Sequence, residues 1–243
     1  MRAAIVRSRV FHGTDDFRAP RAAQKAIAMP DTAGYDDVVH MLRGAAEKVT
    51  ARHQHLSDLD AALGDGDHGS AMRKAMRLLA RAVAGHRSRD IGSVLGEVAW
   101  AVLGAGGGPA GPLFGTFFMG MAEAARGRAA LDAPALAGVF EHALASVRKQ
   151  TEAEPGQKTM LDALIPAVEA VRASADAGKT VPATLANAAD AAERGAEATT
   201  DMQARLGRAA TLGEKSVGMA DPGATTVALM FRGFADALVL RDH

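Results

Sequence analysis

The chain has 243 residues, 48% hydrophobic and 23% charged, a globular composition that excludes wholesale disorder. Its 28 Lys and Arg balance 28 Asp and Glu, so no global basic field exists to bind nucleic acid. The absence of cysteine excludes disulfides, thiolate zinc sites, iron–sulfur clusters and a cysteine nucleophile, and fits a reducing, cytoplasmic setting.

Residues 1–34 mix charge, small residues and two prolines (Pro20, Pro30) without a sustained period. They read as a poorly ordered N-terminal extension ahead of a domain over 35–243. Arg2, Arg7 and Arg9 are followed by no continuous apolar core, so no secretory signal is expected.

From Tyr35 the pattern becomes helical. Val38, Val39, Met41, Leu42, Ala45, Ala46 and Val49 recur at three- and four-residue steps, and the period carries on through Leu56 and Leu59. Gly64 and Gly66 break it. A second helix is predicted from near Ser70, with Met72, Ala75, Met76, Leu79 and Ala82 as its stripe. Further helices are predicted over 91–103, 113–126, 134–147, 158–173, 181–202 and 224–240, with Pro134 in a first turn and Pro166 a kink. Strand signals are nearly absent. The fold class is therefore all-α, an antiparallel bundle of about eight amphipathic helices. Val98 to Ala122 is uncharged and long enough to span a bilayer, but Gly104 to Pro112 interrupts it with backbone that lipid could not satisfy. Two buried helices around a glycine loop are expected, and no membrane span.

The chemistry lies in the breaks. Asp60-Ala-Ala-Leu-Gly-Asp65-Gly-Asp67-His68-Gly-Ser70 puts three carboxylates at a helix end, with glycines that let the backbone fold back. Convergence of Asp60, Asp65 and Asp67 requires a counter-cation, and all-oxygen ligands select Mg²⁺ or Ca²⁺ over zinc or copper. An EF-hand starting at Asp65 fails, since Gly69 and Met76 stand where oxygen ligands are needed. Magnesium completed by phosphates fits better, because His68 and Ser70 open a helix whose free N–H groups attract anions. Solvated turn aspartates are the plain alternative, and His68 could equally contact a ligand or hydrogen-bond locally.

The tract Gly104 to Pro112 matches G-x-G-x-x-G only formally, since no strand precedes it, and no Gly-Lys-Ser/Thr makes it a Walker loop. It can cradle phosphate or allow close helix packing. Two more polar breaks, Ala153 to Asp162 and Gly207 to Ala224, carry Lys158, Arg208, Lys215 and an Asp221-Pro-Gly turn. In an antiparallel bundle alternate loops share one end. The loops after the first, third and fifth helices, and the one before the eighth, are expected on a common rim.

Gly64-Asp-Gly-Asp-His-Gly69 with Asp60, the run Gly111 to Phe118, Lys158-Thr-Met-Leu-Asp-Ala-Leu164 and Asp221-Pro-Gly-Ala224 resemble the nucleotide-binding domain of the dihydroxyacetone kinases. The resemblance covers residues 36–241 in order, and is greatest to the stand-alone ADP-binding subunit. It implies a barrel of eight antiparallel helices with ADP or ATP at one rim. Asp60, Asp65 and Asp67 would hold two Mg²⁺ ions. His68, Gly69, Ser70, Ala71, Pro109, Ala110, Met160, Arg208, Asp221, Pro222 and Gly223 would line the nucleotide pocket. No catalytic residue is assigned in this chain. The partner implied is a hydroxyketone-binding kinase subunit, with a phosphohistidine carrier protein of the phosphotransferase system or ATP as donor; a homodimer stays open. Other readings are a kinase subunit for erythrulose-like sugars or protein-bound fatty acids, and a non-catalytic nucleotide-binding regulator. The chain departs from the family pattern at Ala110 (usually Ser), Ala71 (Asn), Thr151 (Gly), Gln157 (Asp) and Lys215 (Arg).

Overall fold

The structure, a computed structural model, describes residues 32–106 and 110–239. Its helices are α1 (Tyr35–Ala51), α2 (His53–Leu63), α3 (His68–Gly85), α4 (Ile91–Leu103), α5 (Ala110–Ala125), α6 (Ala133–Arg148), α7 (Leu161–Asp176), α8 (Val181–Ala198) and α9 (Pro222–Val239). Short 3-10 turns at Thr199–Asp201 and Arg208–Ser216 occupy the long connection between α8 and α9. The all-α class expected from the periodicity is the class observed.

Helix starts follow ordinary capping chemistry. Asp90, Asp132 and Thr180 accept the backbone N–H of Ser93, Ala135 and Ala183, and α6 and α8 carry proline in their first turns. The first predicted helix is two. The chain bends at Arg52 (φ −106°, ψ 12°), and the His53 ring takes the Thr50 carbonyl at 2.8 Å. The bend frees α2 to lie across the N-terminal end of α3, which brings Asp60 toward the start of α3. At Gly69 an added Cβ would meet the His53 carbonyl oxygen at 1.9 Å, so this glycine answers to close packing of α3 on α2. The predicted sixth helix starts three residues late, because Lys158 sits at φ +61° and cannot be part of it. The seventh ends early, its last turn tightening to 3-10 at Thr199.

α1 packs against α3 and α9, and from α3 the contacts pass to α4, α5, α6, α7, α8 and α9 in turn. Gly92 at the start of α4 lies against Arg126, just past the end of α5, and Gly115 near the start of α5 against Leu103, so these two run antiparallel. The uncharged run thus folds as the end of α4, a glycine connection and α5. Among the described residues no helix is long and apolar enough to cross a membrane. Thr32–Gly34, the last residues of the expected extension, pair antiparallel with Ala130–Asp132, Ala33 opposite Leu131. Residues 1–31 lie outside the described residues.

The few aromatics do much of the packing. Phe114, Phe117, Phe118, Phe140, Phe231 and Phe234 are all fully buried, and Phe140 meets Phe231 with centroids 5.2 Å apart, joining α6 to α9. Elsewhere small residues let backbones touch: a Cβ at Gly233 would sit 2.5 Å from the Gly44 carbonyl oxygen and from Ala45 of α1. Gly233→Ala is accordingly expected to cost about 1–3 kcal/mol by overpacking. Urea unfolding should show a lower midpoint at unchanged slope; an unaltered midpoint would mean that α1 and α9 are not held this close.

Candidate functional site

The breaks between helices meet at one end of the molecule, around a cleft of about 280 Å³. The α2–α3 connection supplies Asp60, Asp65, Asp67 and His68, the start of α5 supplies Leu113 and Phe114, and the α6–α7 connection supplies Lys158, Thr159 and Met160. Arg208 comes from the α8–α9 connection, and Asp221, Pro222 and Gly223 from the start of α9. The common rim expected from alternate loops is what brings them together.

One oxygen from each of Asp60, Asp65 and Asp67 lies within 4.8 Å of the others. Two glycines make this possible in different ways. Gly66 adopts φ +76°, which turns the loop back. Gly64 leaves room, since a Cβ there would come within 3.1 Å of the Asp60 carboxylate. Asp60 is fixed by accepting the His68 N–H at 3.1 Å, so a metal candidate also caps α3. Burial, and then the like charges of Asp65 and Asp60, push the Asp67 carboxyl above its ordinary range. Arg208 reaches across the mouth and pairs with Asp65. Three acids against one guanidinium leave negative charge uncompensated, and a hard divalent cation fits an all-carboxylate donor set.

His68 is buried, and burial holds its pKa below the ordinary value. Its Nε2 donates to Thr226 Oγ1 at 2.8 Å, and the Thr226 proton goes to the Pro222 carbonyl. A neutral imidazole therefore braces the start of α9 behind the triad. Asp221 accepts the Ala224 N–H at 2.7 Å and donates its own N–H to Thr199 Oγ1 at 2.8 Å. Burial pushes its carboxyl from 3.8 up to about 7. Asp162 accepts from Gly156 and Thr159 N–H groups (2.5 and 2.7 Å), which folds the α6–α7 connection onto the start of α7.

Not every expected residue faces the cleft. Met160, Arg208, Asp221, Pro222, Gly223 and His68 line it, whereas Gly69, Ser70 and Ala71 do not. Gly69 is pressed against α2, and the Ser70 hydroxyl bonds back to the Asp67 carbonyl at 2.8 Å. Pro109 and the side chain of Ala110 lie outside the described residues. Lys158, which opens one of the runs that carry the resemblance, was given no role by sequence reasoning; it is buried at the cleft wall. Leu206 and Thr151 also line the cleft. Nothing in spacing or period marks them.

A family model described as the DAK2 domain matches residues 62–236. The ADP-binding subunit DhaL of the PEP-dependent dihydroxyacetone kinase of Escherichia coli is 37% identical over 198 residues, 82% of this chain and 94% of that subunit. The D-erythrulose kinase of Mycolicibacterium smegmatis is 31% identical over 94% of this chain, which spans 41% of that protein. In fold, the chain resembles the crystal structure of the dihydroxyacetone kinase of C. freundii in complex with AMP-PNP and Mg²⁺. The TM-score is 0.64 at 24% identity, over 96% of this chain and 38% of that one. The chain belongs to the DAK2-domain family.

The folded protein binds the Asp221 proton more tightly than the unfolded chain does. Stability from this group is therefore fullest below about pH 4 and is lost as pH rises toward about 7. Asn keeps the capping oxygen without titrating. Urea unfolding from pH 5 to 8 should show a shallower decline in Asp221→Asn than in the wild type; parallel profiles would contradict the raised carboxyl.

Proposed function

We propose that this member of the DAK2-domain family is the nucleotide-binding, phosphoryl-transferring subunit of a dihydroxyacetone-type kinase, holding ADP or ATP with Mg²⁺ and acting on a hydroxyketone presented by a partner subunit. The observation that carries this reading is the convergence of Asp60, Asp65 and Asp67 at a cleft that His68, Arg208 and the Asp221-Pro222-Gly223 turn also line. The names of relatives support it, since one is an ADP-binding kinase subunit nearly all of whose length is matched.

The residues act by binding and orienting. Asp60, Asp65 and Asp67 would hold the cation, and their six oxygens suffice for two ions sharing ligands with phosphate. When bound, Mg²⁺ neutralises phosphate charge and fixes the phosphoryl group in line for transfer. Arg208, already at Asp65, is placed to meet the terminal phosphate oxygens. Leu113, Phe114 and Met160 give the cleft an apolar wall for a base. No group in this chain is assigned as general base; the partner supplies it if one is needed.

The hydroxyketone, dihydroxyacetone or a relative such as erythrulose, is selected by the partner. The phosphoryl donor is a phosphohistidine carrier protein with ADP retained, in keeping with relatives named PEP-dependent in Escherichia coli and PTS-dependent in Lactococcus lactis. A cytoplasmic setting belongs to the same proposal and is supported by the lack of cysteine.

Asp65→Ala and Asp67→Ala are expected to keep the helical circular-dichroism spectrum and to weaken Mg²⁺-dependent ADP binding in calorimetry by no less than the roughly 10–100-fold that loss of a metal ligand's outer-shell partner costs. Unchanged affinity in both would refute the metal assignment. The purified chain alone, with ATP, Mg²⁺ and dihydroxyacetone, should form no phosphorylated product; turnover by it would overturn the need for a partner.

A further inference from the structure

Lys158 has three features that its position in a connection does not require. It is the one non-glycine residue at positive φ among the described residues, at +61°. An L-residue there is strained by about 1 kcal/mol, and such strain persists only where the surroundings impose it. It is 3% exposed, although lysine is almost never fully buried unless paired. And its ammonium is committed: Nζ donates to the Thr199 carbonyl at 2.6 Å and to the Met219 carbonyl.

Those two carbonyls stand at the two ends of the α8–α9 connection. Thr199 follows α8 directly, and Met219 precedes the turn that starts α9. Between them the chain carries Arg208, which reaches Asp65. The base of this connection is closed by few bonds: Gly218 N–H to Thr200 carbonyl (2.8 Å), Asp221 N–H to Thr199 Oγ1, and the Lys158 ammonium. Two contacts come from a third segment: the Gln157 carbonyl, which accepts the Arg205 N–H at 3.3 Å, and the ammonium. The ammonium ties the α6–α7 connection, with Met160 at the cleft, to both ends of the segment that carries Arg208. Burial disfavours its charge, and Asp221 beside it favours it.

We propose that Lys158 is a positioning residue for the nucleotide site. Its ammonium fixes the base of the α8–α9 connection and so sets where Arg208 and the start of α9 stand relative to the aspartate triad. Glycine would suit the backbone angle at 158 better, so the side chain is what the position is kept for. Without the ammonium the Met219 carbonyl loses its donor, the Thr199 carbonyl keeps only the Met202 N–H, and the Arg205 N–H to the Gln157 carbonyl is left to join the connection to the α6–α7 segment. Lys158 then acts on nucleotide through Arg208, without touching it. This inference rests on the function proposed above.

The test is a double-mutant cycle on affinity for ADP with Mg²⁺, read by calorimetry, using Lys158→Gly, Lys158→Gln and Arg208→Ala. Lys158→Gly relieves the strained backbone, so a residue serving only the turn would give unchanged binding and an equal or higher melting temperature. The positioning role predicts affinity weakened about tenfold or more by Lys158→Gly, but less than about twofold once Arg208 is already alanine. Lys158→Gln, which keeps two N–H donors, should recover part of the loss; it carries the same cycle if the glycine variant does not fold. Equal losses in both Arg208 backgrounds, or no loss in either, would overturn the proposal. Wild-type protein that binds no ADP with Mg²⁺ would instead refute the parent reading, so the two failures are distinguishable.

Discussion

Three carboxylates held within one oxygen-to-oxygen reach of each other are the constraint around which this molecule is organised. Like charges at such distances repel; burial first, and then the charges of Asp65 and Asp60, raise the proton affinity of Asp67. The fold tolerates the arrangement because the surrounding helices fix it from several sides. The bend at Arg52 aims α2, Gly69 lets α3 come against it, Gly64 gives Asp60 room, and Gly66 turns the loop. The His68 N–H anchors Asp60, and the His68 ring anchors the start of α9 through Thr226. A site that stores repulsion in this way is prepared for a cation and for the anionic ligand a cation brings.

The remainder of the bundle sets the cleft's walls. Packed phenylalanines join α5, α6 and α9, and close backbone approaches at Gly44, Gly115 and Gly233 hold helices nearer than larger side chains would allow. This rigid frame presents loops that differ in how they are held. The α2–α3 loop is short and fixed by its own carboxylates. The α8–α9 connection is long, rests on 3-10 turns, and relies on a few bonds at its base. Arg208 sits on that element and pairs with Asp65.

Much of this was legible in the sequence. Apolar positions at helical spacing placed the helices, and the acid and glycine pattern from Asp60 to Asp67 marked the site, because both signals are local. Loop alternation in an antiparallel bundle brought Met160, Arg208 and Asp221 to one rim without any distance being known. What escaped depends on contacts distant in sequence. The bend at Arg52 follows from the need of α2 to cross α3. Gly69 packs against the start of α2 sixteen residues earlier, at the His53 carbonyl, a contact that a motif beside a phosphate loop does not reveal. The ammonium of Lys158 is held by carbonyls 41 and 61 residues further along the chain, which no local pattern reveals. The pairing of Thr32–Gly34 with Ala130–Asp132 carries no local strand signal, since each partner is only three residues long.

The central claim is that Asp60, Asp65 and Asp67 jointly grip the cation that anchors a nucleotide's phosphates. A crystal structure grown with ADP and Mg²⁺ tests it most directly. The account predicts octahedral density in which oxygens from all three aspartates and from the diphosphate lie about 2.0–2.1 Å from metal. A nucleotide seated elsewhere, or three aspartates turned to solvent with no ion between them, would contradict it.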